Sequence, residues 1–214
     1  MNKTIITIPC CLLLLFTSMD TLASEPATAP QSYIAIGAQF TEVSADGMRS
    51  YFGDLYNNDV QKDLLGYYID AKWHFHQHFF VQVNHDDTTR SSTDLTQSYF
   101  NLGTSVSLTK DTQWFSSLGY ASYKADRRTS KGEHRKNDGH GISAETGLTL
   151  QLAPWFQTQP SYRFANFEHG GQHQFNLKNQ FLLGAHSAIE LNISYRDWQQ
   201  LGEMGYQLGY RYRF

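Results

Sequence analysis

From Leu65 to Phe75 every second residue is apolar or aromatic (Leu65, Tyr67, Ile69, Ala71, Trp73, Phe75), and Gly66, Tyr68, Asp70, Lys72 and His74 lie between them. A period of two belongs to a strand, whose alternate side chains leave opposite faces, and it is incompatible with a helical period. The end of the chain repeats the pattern: Tyr206, Leu208, Tyr210, Tyr212 and Phe214 alternate with Gln207, Gly209, Arg211 and Arg213. Each such strand has an apolar face and a polar face that carries charge. In a water-soluble sandwich the apolar faces meet in a core. In a barrel that crosses a membrane they face lipid, and the polar faces line the lumen.

The first residues favour the second arrangement. Lys3 gives a positive start, residues 5–16 are mostly apolar, and Thr21-Leu22-Ala23 offers a cleavage site before Ser24, so residues 1–23 read as a secretory signal peptide. The run is too short for a transmembrane helix, and no later stretch approaches the roughly 18 apolar residues that one needs. Cys10 and Cys11 both lie within it, so the mature chain of 191 residues (214 − 23) has no cysteine and depends on its sheet and core rather than on disulfides. Their position ahead of the cleavage region also argues against a lipid-anchored product. Aromatic residues make up 14% of the chain although its mean hydropathy is low, a pairing that alternating strands produce. The net charge of −3 gives no footprint for nucleic acid.

Taken in order, strands are predicted at residues 33–41, 64–76, 79–84, 96–108, 113–123, 141–152, 155–167, 173–183, 188–198 and 204–214. In the fifth, Trp114, Leu118 and Tyr120 point outward, while Phe115 and Tyr123 contradict a clean alternation. Pro160 lies inside the seventh, where it implies a bulge or an unpaired neighbour. Connections alternate between short ones, near Gln77, Lys110, Pro154 and Ala185, and longer or more polar ones at 43–63, 85–94, 124–140, the Gly170-Gly171 turn and 199–203. The reading is therefore all-β: a transmembrane antiparallel up-and-down β-barrel over residues 32–214, with ten strands (eight the alternative), behind a flexible lead-in at 24–31.

The signal segment, the alternating hairpins and the terminal QLGYRYRF ending on Phe214 resemble the small outer-membrane β-barrel proteins of Gram-negative bacteria, the OmpA/OmpX-like superfamily in the broad sense. The resemblance implies residence in the bacterial outer membrane, among its lipid, after cleavage near Ala23. It also implies insertion by the barrel-assembly machinery, whose terminal signal Tyr210, Tyr212 and Phe214 match. It is a likeness of pattern rather than of fixed motif, and the best-known members have eight strands, so it implies no specific activity and no cofactor.

The inward faces collect Asp70, Lys72, Glu145, Arg163, Lys178, Glu190, Arg196, Arg211 and Arg213, three acids against six bases. Buried charges are costly unless paired, so these are expected to form a salt-bridged network that fills the barrel. Barrels of about eight strands are filled by side chains and open porins need about sixteen, which suits that reading. It leaves a structural or surface-interaction role through extracellular loops. The alternative is a narrow anion-preferring channel.

The loop 124–140 sets Lys124, Arg127, Arg128, Lys131, Arg135 and Lys136 against Asp126, Glu133 and Asp138, a surplus of three positive charges. Such a loop suits lipopolysaccharide phosphates or another extracellular ligand, or is a plain solvated loop. His85-Asp86-Asp87 and Glu168-His169 sit near loop ends and are the candidates for a rim hydrolase. No nucleophile motif accompanies them, so no catalytic residue is assigned and no enzyme is expected. His74 and His76 share a strand face without a third ligand, so no metal site is assigned either. Trp73, Trp114, Trp155 and Tyr212 fall near strand ends on the short-turn side, as in an aromatic girdle.

Overall fold

The computed structural model describes residues 31–44, 62–91, 93–128, 134–168, 170–198 and 202–214. They form ten strands: β1 (Tyr33–Val43), β2 (Lys62–His76), β3 (Phe79–Arg90), β4 (Thr93–Ser107), β5 (Thr112–Arg128), β6 (His134–Ala153), β7 (Phe156–Phe167), β8 (Gly170–Leu182), β9 (Ser187–Trp198) and β10 (Glu203–Arg213). Each pairs antiparallel with its neighbour in sequence. β1 also pairs with β10, from Tyr33 opposite Arg213 to Val43 opposite Glu203, which closes the barrel and leaves no sheet edge.

The alternation decides which face turns outward. Ile142 is 71% exposed and Leu118 64%, whereas Glu190, opposite in character, is fully buried on the inner wall. Large apolar side chains are exposed on nine of the strands, and β7 contributes the half-buried Phe156, Tyr162 and Phe164. Scattered exposed apolar residues are ordinary on a soluble protein, but a belt around the whole circumference with charges enclosed is the surface of a body that sits in hydrocarbon. Near the short turns the belt becomes aromatic. Trp73 meets Phe75 at 6.0 Å, Trp155 meets Phe181 at 6.2 Å and Tyr212 meets Phe214 at 6.4 Å between ring centroids.

Leu208 lies within this belt, with Tyr206 and Tyr210 two residues to either side on the same face. Leu208→Arg is expected to lower the unfolding free energy in phospholipid vesicles by about 2–4 kcal/mol, the cost of a guanidinium near the midplane. Urea titrations read by gel mobility without boiling check this; an unchanged midpoint would place Leu208 in water.

Two segments differ from expectation. The stretch 85–94 is not a loop, since β3 runs to Arg90 and β4 starts at Thr93. The basic stretch 124–140 is likewise mostly strand: β5 and β6 are the longest strands, with 17 and 20 residues, and pair out to Arg128 opposite His134. Beyond the apolar belt the outer face meets polar surroundings, so the hydrophobic alternation that reveals a strand fades while the backbone ladder continues. Long connections do not alternate strictly with short ones either; only β1 to β2, with Val43 and Lys62 as its flanks, is long. Gly170 and Gly171 open β8 rather than forming the turn, and Gly170 takes φ 130°, a conformation that glycine supplies without steric cost.

Pro160 sits opposite Leu177 of β8. The β6–β7 register passes from Gly147–Ser161 to Leu150–Thr158, leaving the proline without a β6 partner, as its missing N–H requires. The fifth strand is regular after all, because Phe115 and Tyr123 point inward. The expected signal peptide (1–23), the expected lead-in up to residue 30, most of 43–63 and Lys131 lie outside the described residues.

Candidate functional site

The inner wall is the part of the barrel with concentrated chemistry. Asp70, Lys72, Glu145, Arg163, Lys178, Glu190, Arg196, Arg211 and Arg213 all occupy inward positions of their strands and are buried. Two acids join them that the sequence reading left in loops and turns, Asp86 on β3 and Glu203 on β10, and one base, Arg127 on β5. Among the described residues the buried charged set is thus five acids and seven bases, nearer to balance than three against six.

These groups form three clusters, two of them joined. Asp70 accepts from Lys178 Nζ at 2.5 Å, from Asn84 Nδ2 at 2.6 Å and from the Tyr33 hydroxyl at 3.1 Å. Arg211 Nη2 stands 3.7 Å from the same carboxylate, pairs through Nε with Glu190, and lays its guanidinium 3.5 Å above the Tyr33 ring. The Tyr68 hydroxyl donates to Glu190 at 2.9 Å. In the second cluster Glu145 accepts from Arg163 at 2.5 Å and from the Ser161 hydroxyl at 2.7 Å. Arg163 also donates to Asn84 Oδ1 at 2.7 Å, which ties the two clusters together, and rests 4.0 Å above the Tyr99 ring. The third cluster is a fork: Arg196 donates to both oxygens of Asp86, at 3.0 and 2.7 Å, and to Glu203. Paired and hydrogen-bonded in this way, each carboxylate offsets the desolvation that burial imposes.

Toward the end of the barrel away from β1's start, the lumen is apolar instead. Tyr123 meets Trp198 at 4.4 Å and Phe167 at 4.8 Å, both edge-on, and Val43, Leu64, Leu95 and Tyr99 pack in the same cluster. Edge-to-face aromatic packing of this kind excludes water as a protein core does. Among the charged clusters, a polar cavity bounded by Tyr68, Asp70, Asp86, Arg163 and Arg196 amounts to about 40 Å³, room for a few waters.

The other candidate residues are not brought together. Asp86 faces the lumen, whereas His85 and Asp87 face outward, where His85 Nδ1 lies 2.8 Å from Ser98 Oγ. Strand alternation therefore splits the candidate hydrolase triplet across the wall, and the carboxylate of Asp86 is occupied by Arg196. Glu168 lies 3.3 Å from His140, and His169 is outside the described residues. Of the basic stretch, Lys124, Arg128 and Lys136 are exposed on the outer face, Arg127 is buried inside, and Arg135 lies on β6 opposite Arg127. Asp126 stands opposite Lys136 and Asp138 opposite Lys124, so the outer face of this hairpin is a near-balanced charged ladder rather than a cationic loop. Tyr210, Tyr212 and Phe214 lie on the outer side of the closing strand and its end.

No family model and no curated sequence matches the chain. Among solved structures it is similar to Ail, the attachment invasion locus protein of Yersinia pestis, at 16% identity and a TM-score of 0.45, over 87% of this chain and 100% of that one. It is similar to the N-terminal β-barrel domain of Pseudomonas aeruginosa OprF at 11% identity and a TM-score of 0.41, over 86% of this chain and 98% of that one. The NanC porin gives 11% identity and a TM-score of 0.41, over 86% of this chain and 100% of that one.

Proposed function

We propose that the chain is a bacterial outer-membrane barrel with a closed lumen, whose role is structural or lies in surface interaction at the end formed by the long β5–β6 hairpin. The observation that carries this reading is the filling of the lumen. Paired charges occupy the wall and leave a cavity of about 40 Å³ among them, and an aromatic cap stands at one end. A barrel so filled supports the wall of a membrane more readily than a path across it. The short turns and the chain's Phe214 then face the periplasm, and β5 and β6 project outside.

On that projecting hairpin Lys124, Arg128 and Lys136 are exposed with Asp126 and Asp138 between them, a surface suited to lipopolysaccharide headgroups or a charged extracellular partner. Tyr210, Tyr212 and Phe214 are assigned to recognition by the barrel-assembly machinery during insertion. A narrow anion-preferring channel is the second reading, favoured by the excess of two bases over acids among the buried charges of the described residues (seven minus five).

Planar-bilayer recording distinguishes the two. Protein whose unheated gel band runs ahead of the boiled one, as closed barrels do, is expected to give no steps above background in molar chloride. Steady anion-selective steps would defeat the closed-lumen reading.

A further inference from the structure

We infer that the end of the lumen beside the chain's C-terminus holds a binding site for a small inorganic anion of the halide class. At this end, level with Tyr33 and Arg213, a second polar cavity of about 40 Å³ is lined by Lys72, Arg211 and Arg213, by five glutamines, and by no aspartate or glutamate. The nearest carboxylates lie behind the lining and are already engaged: Asp70 by Lys178, Tyr33 and Asn84, and Glu190 by Arg211 and Tyr68.

Two of the three cations here, Lys72 and Arg213, make no ion pair among the described residues, although Asp70 and Glu145 act on Lys72 from beyond contact distance. Lys72 is buried with its ammonium 4.4 Å above the Phe80 ring and 4.7 Å above the Phe115 ring, so it meets aromatic faces where an ion pair is expected. Arg213 is held by neutral acceptors, donating to Gln31 Oε1 at 3.0 Å and to the Gly184 carbonyl oxygen at 2.7 Å, and its Nε has no protein partner among the described residues. Arg211, by contrast, is neutralised by Glu190 and Asp70.

Amide donors complete the site. Gln180 is 1% exposed and has no protein partner at either end of its amide, and Gln159, 3% exposed, has none for Nε2. Such buried donors are rare in folded proteins, because each unmade hydrogen bond costs about 1–3 kcal/mol. Two cations without an ion pair, beside unused N–H groups in a cavity whose lining has no acid, supply positive charge and hydrogen-bond donors. A monatomic anion satisfies both, and the volume leaves little room for more than the ion and a water. The assignment does not rest on the lumen being sealed, since ion binding and conductance are read separately.

Chloride-35 NMR of the folded protein in zwitterionic detergent tests it. The wild-type barrel is expected to broaden the chloride line in excess of the detergent blank, and bromide is expected to remove the excess by saturable competition. Arg213→Gln and Gln180→Leu, each confirmed as folded by the unheated gel band, are expected to weaken binding about tenfold, as loss of one charge-assisted hydrogen bond implies. Absence of excess broadening in the wild-type protein overturns the site. Competition by sulfate as strong as by bromide overturns the halide assignment. Unchanged affinity in whichever variant folds moves the ion away from this cavity.

Discussion

Arg196→Met is expected to destabilise the folded barrel by about 3–5 kcal/mol, the usual cost of leaving one side of a buried ion pair without its partner. Arg196 bridges Asp86 and Glu203, its guanidinium holding both at once. The three side chains are almost fully buried, so water cannot replace the lost donors. Methionine preserves most of the volume and removes only charge and hydrogen bonds, which keeps the experiment about electrostatics rather than about a cavity. Asp86→Asn and Glu203→Gln added to Arg196→Met are expected to return most of the loss, because a neutral set has no uncompensated charge to bury. Denaturant unfolding in phospholipid vesicles, followed by unheated gel mobility, measures both. A single variant as stable as the parent, or a triple variant as weak as the single one, would show that the fork contributes packing and not charge pairing.

The same fork shows where the sequence stops being legible. Lys72, Arg163 and Arg211 sit on strands whose opposite faces are plainly apolar, so parity alone puts them inside. Asp86 continues a parity that runs through Gln82 and Asn84, but its neighbours His85 and Asp87 are also polar, and the strand disguises itself as a loop. Glu203 is the first residue of β10 and precedes the aromatic alternation that announces that strand. A second rule failed at the cap. Equating apolar with outward holds only where the outside is lipid and the inside is wet; beyond the belt the lumen has a small core of its own, so Tyr123, Phe167 and Trp198 turn inward. A strand continued by parity past its last apolar residue would have recovered Asp86. The same continuation would have placed Trp198 inside, since it follows Glu190, Asn192 and Arg196 at every second position of β9.

The closing seam carries the second large expected effect. Gly37 of β1 and Gly209 of β10 stand directly opposite one another, and Tyr68 of β2 stands opposite Gly37. With no side chain on either glycine, the Tyr68 ring lies across both strands and its hydroxyl reaches Glu190 on β9. One aromatic side chain thus bridges the joint between the two ends of the sheet. A Cβ at Gly209 would overlap the Tyr68 hydroxyl and come within 2.7 Å of the Ile36 carbonyl oxygen. A Cβ at Gly37 would overlap the Leu208 carbonyl oxygen and come within 2.6 Å of the Tyr68 ring. Gly209→Val is therefore expected to displace Tyr68 and to cost about 3 kcal/mol or more, combining overpacking with loss of a hydrogen bond to a carboxylate. Because its main obstacle is the end of a side chain, adding Tyr68→Ala is expected to recover part of that loss. Gly37→Val meets backbone, so the same second substitution is expected to recover nothing there. Fraction folded by unheated gel mobility and the urea midpoint in vesicles read all four variants. Equal rescue at both glycines, or none at either, would refute the account of Tyr68 as the piece that both residues make room for.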